Sequence, residues 1–557
     1  MLQHIYALLL STTLAGAAAA AKKPNVIVVM ADDQDMLLDS LSVMPHVKSQ
    51  IGDQGVTYKK HYCTVAWCCP SRVNFLTGKA AHNTNVTALS RPYGGWTKFV
   101  DEGLNRDYLP VWINQAGIRT YYVGKLMNSY GVKNHNSPHP AGWDQSSFLV
   151  DPWTYNYHHS HWTNGKAEKI SKFPGVHTTH VTQLKALKAI EDAAKHKKQF
   201  FMMIAPVAPH VEIAGGVHQP PPPASFKGQF TNRKAPRRAN WNPDKPSGAS
   251  WINKLPRLTG AQVNTCDKNH VGRLQNIAGI DAMVGKMIDK LKDHNLLDNT
   301  YIIYTSDNGF HIGNHRLLPG KRCPYEEDIN IPLLIRGPGV PQGVSNTITN
   351  SHTDMAPTIL KMLGVPLRKD FDGAPIAYTR DTMAKRSKAP SEHVSVEFWD
   401  AGGKPDGYKG VKMSKLYKDN SYKALRLISD DKSFFYSVWC NGEREFYDMN
   451  DDFAQMNNRL AKNFKGGKKQ FFGRPEKQLY NRLNAVLLVT KACKRDACRD
   501  PWGALFPKNR VNGLAEAMKE EYDSFFDKQP KIKFKTCRKG FLAGNEGPMH
   551  ANKYGAK

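Results

Sequence analysis

The chain has 557 residues, 40% of them hydrophobic and 23% charged, a balance that argues against intrinsic disorder and is ordinary for a globular protein. Length of this order sets a soft prior of roughly two to four domains and allows a sizeable core. Lysine and arginine number 77 against 49 acidic residues, and the resulting net charge of +28 favours polyanions or anionic substrates. A basic pI suited to an acidic medium explains the same surplus. No helix-turn-helix, zinc-finger or RNA-binding signature accompanies the charge, so nucleic acid is not an expected partner.

Residues 1–20 contain no Asp, Glu, Lys or Arg. An apolar stretch around Tyr6 to Leu10 gives way to small residues from Ala15 to Ala21, the pattern of a secretory signal cleaved near Ala20 or Ala21. Residues 1–21 are therefore read as a signal peptide. No later segment reaches the roughly 18 continuous apolar residues of a membrane span. Secretion is the expected localisation, with a wall or lytic compartment as its variants.

Four apolar runs follow, each ending in polar residues. Asn25 to Met30 runs into Asp32-Asp33-Gln34, Ile118 to Val123 into Gly124-Lys125, Phe200 to Ile204 into Pro209-His210, and Tyr301 to Thr305 into Asp307-Asn308-Gly309. Continuous β-branched runs of this kind predict buried parallel strands. Between them, Ile277, Ile280, Val284, Met287, Ile288 and Leu291 recur at a helical period. The expected fold is α/β, a large and mostly parallel sheet between helices, with ligands gathering beyond the strands' carboxyl ends. Residues 212–256 hold Pro220 to Pro223 and Arg237-Arg238 and read as a long loop beside that cleft. Beyond about residue 385, Val394 to Phe398, Tyr422 to Ile428 and Phe434 to Trp439 alternate like antiparallel strands. The expected division is a catalytic unit over 22–385 and a smaller α+β unit over 386–557.

Nine cysteines leave one over if the rest pair, and eight remain if Cys68 ceases to be a thiol. Cys493 and Cys498 are close enough to bridge locally. Asn85-Val86-Thr87 is a candidate glycosylation site, and Asn264-Thr265-Cys266 a rarer variant of the same signal. Asp32, Asp33, Asp307 and Asn308 offer hard oxygen ligands at two strand ends, which suit Ca²⁺ or Mg²⁺ rather than zinc.

Cys68-Cys69-Pro70-Ser71-Arg72 followed by Leu76-Thr77-Gly78 resembles the signature of the formylglycine-dependent sulfatases. The resemblance extends along most of the chain. Asp32-Asp33-Gln34-Asp35 and Ser306-Asp307-Asn308-Gly309 look like the family's two metal motifs. Gly124-Lys125, Pro209-His210 and Gly320-Lys321 match its basic sulfate-binding positions. Thr353-Asp354 to Leu360, Phe371-Asp372-Gly373 and Glu445-Phe446-Tyr447-Asp448 resemble later scaffold motifs. Two branches look nearest, fungal-type arylsulfatases and N-acetylglucosamine-6-sulfatases.

The resemblance implies an alkaline-phosphatase-like sulfatase fold and an arylsulfatase-type hydrolase that releases inorganic sulfate. It also implies a maturation enzyme that oxidises Cys68 to 3-oxoalanine, whose hydrated form places one hydroxyl on the metal. Asp32, Asp33, Asp307, Asn308 and the modified Cys68 would hold one Ca²⁺, in preference to Mg²⁺. Arg72 would hold the modified side chain, Lys125 and Lys321 the sulfate, and His210 would protonate the leaving oxygen, with His311 a further sulfate contact. Sulfated sugars or polysaccharides fit the basic charge as substrates. One position departs from the family, because Met127 stands where many arylsulfatases place a histidine against the modified cysteine. Three alternatives stand beside this reading: a phosphate or phosphonate monoesterase, a polyanion-binding module without catalysis, and a structural wall protein.

Overall fold

Every residue of strand β1 (Asn25–Ala31) is buried, and its side chains alternate between two apolar layers. Val26, Val28 and Met30 enter one layer, while Ile27, Val29 and Ala31 enter the other. A strand covered on both faces belongs to a sheet held between helices. The computed structural model describes residues 22–388, 391–402, 419–429, 431–508 and 511–555, so the signal segment read at 1–21 lies outside the described residues.

The main sheet has eight strands among the described residues. After β1 come β2 (Gly55–Tyr58), β3 (Arg119–Gly124), β4 (Gln145–Phe148), β5 (Phe200–Ala205), β6 (Thr300–Ser306), β7 (Leu333–Arg336) and β8 (Val344–Asn346). Their spatial order is β8-β2-β7-β6-β1-β5-β3-β4. Only β7 runs against its neighbours β2 and β6; every other pairing is parallel. The four strands read from the sequence are β1, β3, β5 and β6, adjacent at the sheet's centre and all pointing the same way. Their carboxyl ends therefore open on one edge.

Helices α1 (Cys68–Thr77) and α4 (Met355–Leu363) cover one face, with Val73, Phe75, Ile359 and Leu360 in the shared layer. Helices α2 (Thr178–His196) and α3 (Gly260–Asp293) cover the other, and α3 carries the periodic residues Ile277 to Leu291. The start of α3 is fixed by a capping box between Thr259 and Gln262. Between β5 and α3 the chain makes short 3₁₀ turns, Ala224–Phe226 and Ile252–Lys254, and an isolated bridge between Glu212 and His218, through the segment read as a long loop.

A second sheet is an antiparallel meander of β9 (His393–Trp399), β10 (Ser421–Ser429), β11 (Lys432–Trp439) and β12 (Arg444–Asp448). Its alternate residues face opposite ways, as the two-residue strand period requires. Val396, Phe398, Tyr422 and Phe435 pack on Tyr62, Cys63 and Trp67 just ahead of α1, while Leu425, Leu427, Phe434 and Phe446 pack on α5 (Glu476–Thr490). A buried charge network reinforces the junction. Glu397 on β9 accepts from His82 Nδ1 at 2.8 Å and from Lys423 Nζ at 2.8 Å. Disulfides join Cys440 to Cys537 and Cys493 to Cys498. The other five cysteines, Cys63, Cys68, Cys69, Cys266 and Cys323, are buried and unbridged, so counting eight thiols does not translate into four bridges.

Candidate active site

Ala31 at the end of β1 pairs with Ser306 at the end of β6, so the residues that follow leave the sheet side by side. Asp33 takes a left-handed backbone, φ 72°, and its N–H donates to Asp307 Oδ1 at 3.0 Å. Asn308 donates its backbone N–H to the same oxygen at 2.9 Å and its Nδ2 to Asp33 Oδ1 at 2.8 Å. Arg273, from the middle of α3, donates to Asp33 O and lies 3.7 Å from Asp35 Oδ1. Asp33, Asp307 and Asn308 are thereby held against one another where two strands end side by side.

Helix α1 brings in the cysteine. It begins at Cys68 itself and ends at left-handed Gly78, φ 66°. All of its residues are buried. Cys68 Sγ lies 3.3 Å from Asp32 Oδ1 and 3.7 Å from Asp33 Oδ1. As the first residue of the helix it shares the end whose N–H groups have no intrahelical acceptor and favour an anion.

Three cations converge on this cluster. Lys125, just past β3, reaches Asp32 Oδ2 at 2.5 Å, and Lys321 Nζ sits 2.9 Å from Cys68 Sγ while also donating to Asp33 Oδ1. Arg72, one turn into α1, donates from Nε to Asp307 Oδ2 at 2.8 Å and from Nη1 to Lys125 O at 2.5 Å. Charge-assisted bonds of this length fix both partners.

His210 lies beyond β5 with Nε2 3.6 Å from Asp33 Oδ2, and its Nδ1 contacts Val211 O at 2.8 Å. The Tyr155 ring packs against it at a tilt of 34°, centroids 4.3 Å apart, and the same ring takes the Lys125 ammonium at 4.9 Å. Nothing in the motifs pointed to Tyr155; the aromatic density of Trp153, Tyr155 and Tyr157 was the available signal. Arg273 was missed too. His311 sits differently from His210: its Nδ1 bonds Asp328 Oδ1 at 2.7 Å, and it does not line the cavity that Cys68, His210 and Lys321 share. Met127 is packed in the core with Leu126, which removes it from the site. The neighbouring Asn128 does line the cavity and donates to Tyr155 OH at 2.8 Å.

The buried charges of the cluster shift one another strongly. Burial and then the Asp307 charge push Asp32 up to about 7, against the pull of Lys125 and Arg72. Burial acts on Asp33 and Asp307 as well, but Lys321 and His210 hold Asp33 below its ordinary value, and Arg72, Lys125 and Lys321 do so for Asp307. Burial, followed by Asp307 and Asp32, pushes the Cys68 thiol well up, and burial brings His210 down to about 3. Among the described residues, Asp33 Oδ2 and Asn308 Oδ1 are buried without a hydrogen-bond partner. Oxygen donors, two orphaned oxygens and mutual carboxylate repulsion fit a divalent cation bound by these side chains.

Comparison with known proteins agrees with this geometry. Residues 24–365 match the sulfatase family model. An arylsulfatase of Volvox carteri is 32% identical over 539 residues, covering 91% of this chain and 80% of its own. An N-acetylglucosamine-6-sulfatase of Bos taurus is 29% identical over 85% of this chain and 84% of its own. A solved structure in complex with its substrate D-glucosamine-2-N,6-O-disulfate shares the fold at TM-score 0.62 and 22% identity, over 79% of this chain and 94% of that one. The chain belongs to the sulfatase family, the hydrolases of sulfuric esters.

Proposed function

We propose that this sulfatase acts through an aldehyde made from Cys68, with Asp32, Asp33, Asp307 and Asn308 holding Ca²⁺. The observation that carries the reading is the position of Cys68 Sγ, which touches Asp32, Asp33 and Lys321 at once from the first turn of a buried helix. Oxidation of that side chain gives an aldehyde whose hydrate offers two hydroxyls, one to attack sulfur and one to re-form the carbonyl. Serine or unmodified cysteine lacks the second hydroxyl. A cation held by these four side chains would supply positive charge that favours ionisation of the attacking hydroxyl.

The protein's own residues then divide the work. Lys321 and Lys125 place ammonium groups beside Cys68 and Asp32, where sulfate oxygens gather charge as the S–O bond breaks. Arg72 holds Asp307 and the loop at Lys125 in place. His210 is fixed through Nδ1, leaving Nε2 to give a proton to the departing oxygen. Burial opposes protonation of that imidazole, and an arriving sulfate anion offsets it. His311 acts through Asp328 rather than on sulfate.

Secretion is supported by the leader-like residues 1–21 and by two disulfides, which persist in oxidising compartments. Among the described residues no helix is long and apolar enough to cross a membrane. The division into 22–385 and 386–557 is supported by a family match that ends at residue 365 and by a second sheet that starts at His393. Asn85 is partly exposed and is proposed as a glycan site; its Nδ2 now donates to Glu102 Oε1 at 2.8 Å. The decisive assay is release of inorganic sulfate from nitrophenyl sulfate beside release of phosphate from the matched phosphate and phosphonate esters. Preferential turnover of the phosphorus esters would replace the sulfatase reading with the monoesterase one.

A further inference from the structure

Three consecutive carbonyls around His210 are each held by a different part of the fold. Ala208 O accepts from the Asp32 N–H at 3.1 Å, Pro209 O from Arg273 Nη1 at 3.4 Å, and His210 O from Tyr157 OH at 2.6 Å. The middle one is taken by a residue that no sequence motif marks. Arg273 reaches in from α3, which covers the sheet face opposite the Cys68 helix, and its Nη2 also donates to Asp33 O. Asp33 and Pro209 follow β1 and β5, neighbouring strands of the sheet. One guanidinium therefore grips the chain on both sides of the 3.6 Å gap between His210 Nε2 and Asp33 Oδ2.

Arg273 is buried, and taking a guanidinium out of water is costly. Its charge is answered by Asp35 Oδ1 at 3.7 Å and by the face of the Phe310 ring at 4.0 Å. Packing alone does not account for the choice, because an apolar side chain of similar volume often serves stability as well as a buried ion pair does. An apolar residue cannot donate to two carbonyls. Lysine, a compact ammonium on a flexible stem, lacks the planar fork that spans them. Moving a reacting group by about 1 Å can cost about 10²-fold in rate, so a brace at this point has kinetic consequences.

We propose that Arg273 is a positioning residue for proton transfer, bracing Asp33 O and Pro209 O so that His210 Nε2 is held at the leaving oxygen. The inference rests on the reading of His210 as the group that protonates that oxygen, and it adds the residue that sets the geometry. As the S–O bond breaks, its electron pair stays on the departing oxygen, which takes the Nε2 proton and leaves as a neutral alcohol or phenol.

The test reads leaving-group dependence in the mature enzyme, with nitrophenyl sulfate against unsubstituted phenyl sulfate, whose phenolate is the poorer leaving group. Arg273→Lys keeps a charge beside Asp35 and Phe310 and gives up the fork. It is expected to lower kcat/KM for phenyl sulfate about tenfold more than for nitrophenyl sulfate, a part of the roughly 10²–10⁴-fold that loss of a general acid costs. In the His210→Ala background the same substitution should add less than about threefold to that contrast, because the imidazole it braces is gone. Should Arg273→Lys not fold, Arg273→Met with Asp35→Asn removes both charges together and is read in the same way. Equal losses on the two esters, or the full contrast added again on top of His210→Ala, overturn the proposal and leave His210 in its role. A His210→Ala variant that loses equally on both esters overturns the acid reading and this proposal with it. Wild-type enzyme that releases sulfate from neither ester overturns the sulfatase reading beneath both.

Discussion

Arg72 Nε donates to Asp307 Oδ2 at 2.8 Å, joining the helix that starts with Cys68 to the end of β6. Both side chains are buried. The bond therefore sets the distance between the nucleophile-bearing helix and the proposed cation ligands, two parts of the site that arrive from positions 235 residues apart in the chain.

Arg72→Met should therefore damage both stability and turnover. Removing one partner of a buried ion pair leaves an uncompensated charge, a change that usually costs about 3–5 kcal/mol. Urea unfolding of the metal-free protein should show a loss of this size. Unchanged stability would mean that Asp307 finds another partner, with Lys125 the cation that acts on it most strongly after Arg72.

Cys68 should not be a thiol in active enzyme. Replacing CH₂SH by CHO removes about 18 Da, a difference that mass spectrometry of the peptide spanning Cys68 to Arg72 resolves. Cys68→Ala should fold, because the site is small and already surrounded by hydrogen-bonded groups, yet release no sulfate. Full activity from a preparation carrying only unmodified cysteine would remove the basis for the proposed chemistry.

Exhaustive chelation should abolish turnover and lower the thermal midpoint, and Ca²⁺ should restore both. An ion present at about 100 times its dissociation constant adds about 2.7 kcal/mol to the folded state. Substitution of Asn308 by Leu should remove that added stability. Full activity in protein shown by metal analysis to be empty would rule out a required cation at this site.

Much of this arrangement was legible before any coordinates. Continuous β-branched runs at Asn25–Met30, Ile118–Val123, Phe200–Ile204 and Tyr301–Thr305 are what strands buried on both faces look like, and each proved to be a central strand. The polar residues after them landed on one edge because parallel strands end together. The positions that escaped notice carry no local pattern. Arg273 sits inside a long amphipathic helix, where an isolated arginine ordinarily faces water; here it is buried over the Phe310 ring at 4.0 Å and donates to Asp33 O. Tyr155 gains its place only through the fold, and Met127 is drawn into the core beside Leu126, while Asn128 lines the cavity.

The junction between the two sheets should be acid-sensitive through Glu397. Burial opposes its charge, but His82 and Lys423 more than offset that and bring its pKa from 4.5 to about 2. A carboxyl lowered on folding adds stability above its unfolded value and loses it as pH falls from about 4.5 toward 2. The shift corresponds to something on the order of 3 kcal/mol. Glu397→Gln should lower stability at pH 7 by an amount of this order and flatten its decline between about pH 5 and 2. Parallel urea titrations at pH 7, 5 and 3 read this directly; curves for wild type and variant that stay parallel would show that Glu397 does not titrate in this window.

His210 is expected to act on the leaving group rather than in sulfate binding. Its ring is clamped between the Tyr155 face and the Val211 carbonyl, so Nε2 has one direction available, toward Asp33 and the Cys68 side of the cavity. Proton donation matters most when the departing oxygen is strongly basic, as in alkyl sulfates, and least for nitrophenolate, which leaves unaided. His210→Ala should therefore slow cyclohexylmethyl sulfate by about 10²–10⁴-fold, the usual range for removing a general acid, and nitrophenyl sulfate far less. The contrast should appear in kcat, since an interaction made only in the transition state lowers kcat and kcat/KM together. Phe at position 155 keeps the stacking face and should retain the contrast between substrates, whereas Ala there frees the imidazole and should weaken it. Equal losses on both esters, or a rise confined to KM, would make His210 a sulfate-binding residue and leave protonation of the leaving oxygen to Lys321, which lines the cavity beside Cys68.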